Sequence, residues 1–180
     1  MELSVTEYLQ ALREMHWQSP KVFVFKDSLT RNWLTEQGSL SLLLEKYCND
    51  LTVELLQSDM KSPTDLALSE SEHLPKEDYL LRKVILKGDQ QPWVLGRTLI
   101  PQSSMIGETH NLADQGEIPL GFTVFKSTKV RRDSLQVGET VVAGKLLLAR
   151  RSRLWVDERP ILVAELFLPN APIYAQGNQA

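Results

Sequence analysis

Three charged residues fall on strand faces that are otherwise apolar: Arg82, Arg97 and Glu165. In a β-strand every second side chain shares a face. Residues 79–87 (YLLRKVILK), taken as a strand, align Arg82 with Leu80, Val84 and Leu86. Residues 93–100 align Arg97 with Trp93, Leu95 and Leu99. Residues 161–168 (ILVAELFL) align Glu165 with Ile161, Val163 and Phe167. A lone charge leaves water only at a cost of several kcal/mol unless a partner compensates it. Two guanidiniums and one carboxylate turned inward predict a small, closed, polar pocket for an anionic ligand. A structural ion pair between Arg82 and Glu165 suits the same pattern. The second arginine leaves the set net positive, which favours an anionic guest.

Other chemistry has weaker support. His16, His73 and His110 are scattered, without metal-ligand spacing. Cys48 has no neighbouring histidine and no CxxC partner, so it reads as inert. There is no GxSxG elbow, and Gly107 and Gly116 stand too far apart for a phosphate loop. Trp17, Trp33, Trp93 and Trp155 read as core or rim aromatics. These absences point to no metal and no cofactor. Two basic runs occur: Lys126, Lys129, Arg131 and Arg132, then Arg150, Arg151 and Arg153. Nearby acids and the lack of a stacking motif make them solvated faces or local ion-pair partners rather than a nucleic-acid surface.

The composition is that of an ordinary globular chain. It has 180 residues, 42% hydrophobic and 24% charged, with a formal net charge of -3. That is enough apolar material for one core without staples. The single cysteine allows no intramolecular disulfide and suits a reducing compartment. The N-terminal residues lack the apolar run of a secretory signal, and no stretch has the length of a membrane span. A cytoplasmic protein without membrane insertion is expected.

The elements that must position the three charges follow from the spacing. Ser4 and Glu7 have capping-box spacing ahead of a helix over about residues 6–15. Asp27 or Ser28 caps a second helix over residues 29–37, with Gly38 as its stop. Strands are expected over residues 40–47, 51–57, 79–87, 93–100, 145–156 and 161–168. Residues 58–73 read as a polar surface loop. Tight turns at Lys87-Gly88-Asp89-Gln90 and Asp157-Glu158-Arg159-Pro160 join neighbouring strands. Pro119 opens a short helix to about Lys126. The expected architecture is a single α+β domain over residues 1–180, with an N-terminal helix in residues 1–20 and a polar tail at 175–180. Its core is an antiparallel sheet of about six strands with helices on one face.

Several segments, in order, carry a resemblance. They are Asp27-Ser28-Leu29-Thr30, Tyr79-Leu80-Leu81-Arg82, and Pro92-Trp93-Val94-Leu95-Gly96-Arg97-Thr98. Ile118-Pro119-Leu120-Gly121, Arg150-Arg151-Ser152-Arg153-Leu154 and Ala164-Glu165-Leu166-Phe167-Leu168-Pro169 follow. Together they span about residues 22–174, and the chain resembles the chorismate lyase family. That family cleaves chorismate to 4-hydroxybenzoate and pyruvate without metal or cofactor.

The resemblance implies an internal ligand cavity under flaps, in a monomer that supplies ubiquinone or plastoquinone synthesis. It implies catalytic roles for Arg82, Arg97 and Glu165. Arg82 matches the arginine that binds the ring carboxylate. Leu29 and Leu120 match positions whose backbone amides reach the same group. Glu165 matches the acid facing the ring hydroxyl, and Gly96-Arg97 matches a flap-side pair associated with binding and turnover. A family member carries methionine at the position of Leu29, a swap that a backbone contact tolerates. The alternative is a non-catalytic effector-binding domain, since such domains in some transcription regulators share the fold. Those regulators carry a DNA-binding module ahead of it, for which the residues before about 22 are too few.

Overall fold

The structure is a computed structural model, and it describes residues 5–106, 111–112, 115–125 and 130–175. Its centre is one six-stranded antiparallel sheet. The strands are β1 (Leu51–Lys61), β2 (Tyr79–Gly88), β3 (Gln91–Pro101), β4 (Val130–Val142), β5 (Lys145–Val156) and β6 (Arg159–Phe167). Their spatial order is β1-β2-β3-β6-β5-β4. The chain therefore leaves the middle of the sheet after β3, crosses to the far edge, and returns through β5 so that β6 pairs with β3.

Three hairpins fix the register. Asp89-Gln90, Ala143-Gly144 and Asp157-Glu158 each have positive φ at both positions. That is the two-residue turn whose twist matches the flanking strands. The β2–β3 turn is also tied to the start of β1, because the Asp89 carboxylate accepts from the Asn49 and Asp50 backbone N–H groups at 3.0 and 2.9 Å. The β5–β6 turn sets Val156 opposite Arg159, and so Arg150 opposite Glu165.

The helices are α1 (Val5–Arg13), α2 (Ser28–Leu34), α3 (Leu40–Glu45), α4 (Leu68–Ser71), α5 (Leu120–Val124) and α6 (Pro172–Ala175). Asp27 caps α2 by accepting from Thr30 N–H at 2.7 Å. Both faces of the sheet are covered. On the first, α2 and α3 bury Trp33, Leu34, Leu40 and Leu44 against Val84, Val94 and Phe167, while α5 adds Val124 beside Leu154 and Val163. On the second, α1 packs Leu12 against Ile85, Leu95, Ala149 and Leu166. Helices thus lie on both sides of the sheet, where the sequence pattern had suggested one.

Two elements differ from expectation. Residues 40–47 form α3 and its C-terminal turn rather than a strand. The run Leu40-Ser-Leu-Leu-Leu fits either period, and Ser39 decides it by capping Leu42 N–H at 3.2 Å. Burial then follows the helix: Leu40 and Leu44 are buried, whereas Leu42 is 49% exposed. The sixth strand is instead β4. Its alternation is broken between Asp133 and Gln136 by a register shift, where Ser134 has φ 53°, so the period of two was hidden. Residues 58–61 also extend β1, and a helical turn at residues 63–65 and α4 lie within the expected loop. Ser4, His110, Lys126, Lys129 and the tail after residue 175 lie outside the described residues.

The helical assignment of residues 40–45 predicts an asymmetry in urea unfolding. Leu44→Ala should cost about 2–5 kcal/mol, as for a buried leucine, and Leu42→Ala should stay within about 0.5 kcal/mol. Equal losses would indicate a strand with both side chains inward.

Candidate functional site

A cavity lies on the first face of the sheet. Its floor comes from β2, β3 and β6, through Arg82, Val84, Gly96, Thr98, Val163 and Glu165. Its roof is α3 and α5, through Leu40, Ser41, Leu120, Gly121, Val124 and Phe125, and Arg132 of β4 reaches its lining. The cavity is tight, about 60 Å³, well below the roughly 300–1,000 Å³ typical of small-molecule sites. The lining is mostly apolar, with a few polar groups converging on it. The roof depends on one glycine. A Cβ at Gly121 would sit 2.3 Å from Ser39 Oγ and 3.1 Å from Ser41 Oγ, so a larger residue there would have to displace the Ser39 hydroxyl that caps α3.

Arg82 is 2% exposed. Its Nη2 donates to the Gly116 and Ile118 carbonyls at 3.1 and 2.9 Å. Its Nε is buried and has no hydrogen-bond partner among the described residues. Burial pushes the guanidinium down to about 10, which leaves it charged at neutral pH. No carboxylate among the described residues pairs with it.

Glu165 stands differently. Its Oε2 accepts from Arg150 Nε at 2.9 Å. Arg150 is fully buried, and its Nη1 donates to the Glu36 carbonyl at 2.9 Å. The Arg150 Nη2 is buried without a partner among the described residues. The expected ion pair of Glu165 therefore exists, but with Arg150 rather than Arg82. Arg132 donates from Nε to Gln37 O at 3.3 Å, from Nη2 to Gly38 O at 3.0 Å, and from Nη1 to Ser152 Oγ. Burial, then the nearby Arg150 charge, pushes it down to about 10 as well.

The six residues singled out from the sequence divide. Arg82, Gly96, Leu120 and Glu165 line the cavity. Gly96 lies opposite both Val84 and Glu165, and a Cβ there would stand 3.2 Å from Val84 Cγ2. Leu29 is on the first turn of α2, 45% exposed and outside the lining. Arg97 is not in the cavity with Arg82 and Glu165. It lies opposite Lys83 and Ala164, on the second face. There Glu70 of α4 clamps it in a two-bond fork, 3.0 Å at each nitrogen.

Both faces of β3 are buried, so apolar neighbours could not show which face held the cavity. Trp93 misled further. It is the extra residue of a bulge, since Leu86 pairs with Val94 and Lys87 with Pro92. Trp93 turns into the first-face core, while Leu95, Arg97 and Leu99 stay on the second.

Arg132 and Arg150 were read as members of basic runs. A sequence signal for Arg150 existed, because counting back from the turn at Asp157-Glu158 sets it opposite Glu165. The bulge in β4 hid Arg132. Arg151 and Arg153 are taken up by the second face. Arg151 binds Gln136 Oε1 at 3.0 and 2.6 Å, and Arg153 forks onto Asp133 at 2.8 and 2.9 Å. The Cys48 thiol is pushed up by burial and then by Asp89. Burial and then Arg151 push His73 down.

Comparison with known proteins adds to this geometry. A family model described as "Chorismate lyase" matches residues 11–179. A "Probable chorismate pyruvate-lyase" of Vibrio parahaemolyticus is 51% identical over 169 residues, 94% of each chain. A "Chorismate pyruvate-lyase" of Pectobacterium carotovorum is 40% identical over 164 residues, 91% of this chain and 89% of that one. The ligand-binding domain of a GntR-family transcriptional regulator from Bordetella bronchiseptica has a similar fold. Its TM-score is 0.51 at 16% identity, over 68% of this chain and 86% of that one.

The Arg150–Glu165 pair predicts a recoverable loss. Arg150→Met strands a buried carboxylate and should cost about 3–5 kcal/mol in urea unfolding, and adding Glu165→Met should restore most of it. A double variant no more stable than the single would show that the pairing is not what holds Glu165.

Proposed function

The chain belongs to the chorismate lyase family, and we propose that it removes pyruvate from chorismate to leave 4-hydroxybenzoate. The observation that carries this reading is the polarity of the cavity. A guanidinium that no carboxylate among the described residues pairs, Arg82, stands on one side, and a carboxylate already neutralised by Arg150 on the other. A ring with a carboxylate at one end and a hydroxyl at the opposite end fits that polarity.

The reaction breaks the ether C–O bond, removes the ring hydrogen at the hydroxyl-bearing carbon, and adds a proton to the enolpyruvyl methylene. The ring becomes aromatic, which supplies the driving force, so the protein needs positioning and charge placement rather than covalent chemistry. Arg82 holds the ring carboxylate by charge-assisted hydrogen bonding, its Nε having no partner among the described residues. Leu120 offers its backbone N–H at the same end. Arg82 already grips the Gly116 and Ile118 carbonyls just ahead of it, and no side chain caps this end of α5. Glu165 accepts from the ring hydroxyl and fixes the ring plane. Its charge is engaged by Arg150, which suits a hydrogen-bond acceptor better than a strong base.

Gly96 keeps the floor flat beneath the ring. Leu29 takes part only if the first turn of α2 closes inward on binding. Arg97 serves from the far face, holding β3 under Gly96 through its fork with Glu70. We read the enzyme as a cytoplasmic monomer whose product enters quinone synthesis, of ubiquinone or plastoquinone.

Purified protein mixed with chorismate should release pyruvate and 4-hydroxybenzoate in equal amounts. Binding of chorismate without release would instead favour the effector-binding reading that the shared fold allows. Arg82→Ala should lower kcat/KM by about 10²-fold and weaken 4-hydroxybenzoate binding alike, as loss of a charged hydrogen bond requires. A folded variant that binds the product like wild type would remove Arg82 from this role. Glu165→Gln should keep turnover within about tenfold, because an amide oxygen still accepts. A loss of about 10³-fold would assign proton removal to Glu165. Gly96→Ala, which crowds the floor at Val84, should raise KM more than it lowers kcat.

A further inference from the structure

The charges lining the cavity do not balance. Among the described residues, Glu165 is matched by Arg150 behind it. Among the same residues, Arg82 and Arg132 are not matched by any carboxylate within ion-pair distance. Each is held only by neutral oxygens: the Gly116 and Ile118 carbonyls for Arg82, and the Gln37 and Gly38 carbonyls with Ser152 Oγ for Arg132. A buried cation with only neutral partners is a costly arrangement unless an anion joins it. The cavity thus holds two guanidiniums that await two negative charges.

Their positions separate those charges. Arg82 is on β2 and Arg132 on β4, four strands apart in the sheet order, with Glu165 on β6 between them. At about 4.8 Å per strand, the two backbones stand roughly 19 Å apart, and both side chains reach inward over the same face. With the ring carboxylate at Arg82 and the ring hydroxyl at Glu165, the neighbouring ether carbon and its side chain lie at the Arg132 end. The side chain of chorismate ends in the second carboxylate. Arg132 spends three of its five N–H donors on protein oxygens, so each terminal nitrogen retains one N–H for an incoming anion.

We propose that Arg132 binds the enolpyruvyl carboxylate of the substrate and so distinguishes it from the ring product. This rests on the reading of the cavity given above. Substrate then engages two guanidiniums and 4-hydroxybenzoate only one. When the ether bond breaks, the carboxylate held by Arg132 leaves with pyruvate, and the ring stays on Arg82 and Glu165 alone.

The test compares two ligands on two variants. In Arg132→Gln, kcat/KM for chorismate should fall about 30- to 100-fold, while the calorimetric Kd for 4-hydroxybenzoate stays within twofold of wild type. Arg132→Lys, which keeps the charge and loses the fork, should recover part of the loss for chorismate and leave product binding unchanged. A purely structural clamp on Gln37 and Gly38 would weaken both ligands together, and that result overturns the proposal. Unchanged chorismate kinetics overturn it as well. If Arg132→Gln fails to fold, Arg132→Lys decides alone: a loss confined to chorismate supports the assignment, and an equal loss for both ligands or none overturns it. Wild-type protein that releases no pyruvate would sink the functional reading itself, a result visible before any variant is made.

Discussion

A guanidinium taken out of water must be compensated, and among the described residues this fold places six buried or half-buried arginines on one sheet. How each finds compensation organises much of the molecule. On the second face the solutions are closed: Arg97 forks onto Glu70, Arg153 onto Asp133, and Arg151 onto the Gln136 amide with Trp17 stacked at 5.0 Å. On the first face, among the described residues, only Arg150 meets a carboxylate. Arg82 rests on carbonyl oxygens. Arg82 and, across the cavity, Arg132 are the two exceptions, and they separate a binding cavity from a packed core.

The two faces are one residue apart in sequence, and that spacing does the sorting. Gly96 faces the cavity and Arg97 faces α4. Arg150 supports Glu165 while Arg151 turns away to Gln136. The hairpin turns hold this register, since a slip by one residue would exchange the contents of the two faces. The roof works by the same economy of space. Gly121 lets α5 sit against Ser39 and Ser41 of the α3 cap, so the cavity is closed by helix ends.

Much of this was legible in the sequence where local chemistry decided structure. Asp27 announced α2, Pro119 the start of α5, and the turns at Asp89-Gln90 and Asp157-Glu158 announced their hairpins. Arg82 and Glu165 showed themselves as charges within apolar alternation. The sequence was silent where tertiary contacts decided. Residues 40–45 satisfy both periods, and only the Ser39 cap and packing on Trp33 select a helix. The β4 bulge scrambled the alternation that would have revealed Arg132. Burial of both faces made Arg97 look like a partner of Arg82, when it lies on the far side of the sheet.

The most direct measurement is a crystal structure of the protein with 4-hydroxybenzoate bound. The account predicts the product inside the cavity under α3 and α5. Its carboxylate should bind Arg82 and its hydroxyl should lie within hydrogen-bond distance of Glu165, with Arg132 left free of it. A product bound outside the cavity, or with its hydroxyl on Arg82 and its carboxylate turned to Arg132, would contradict it.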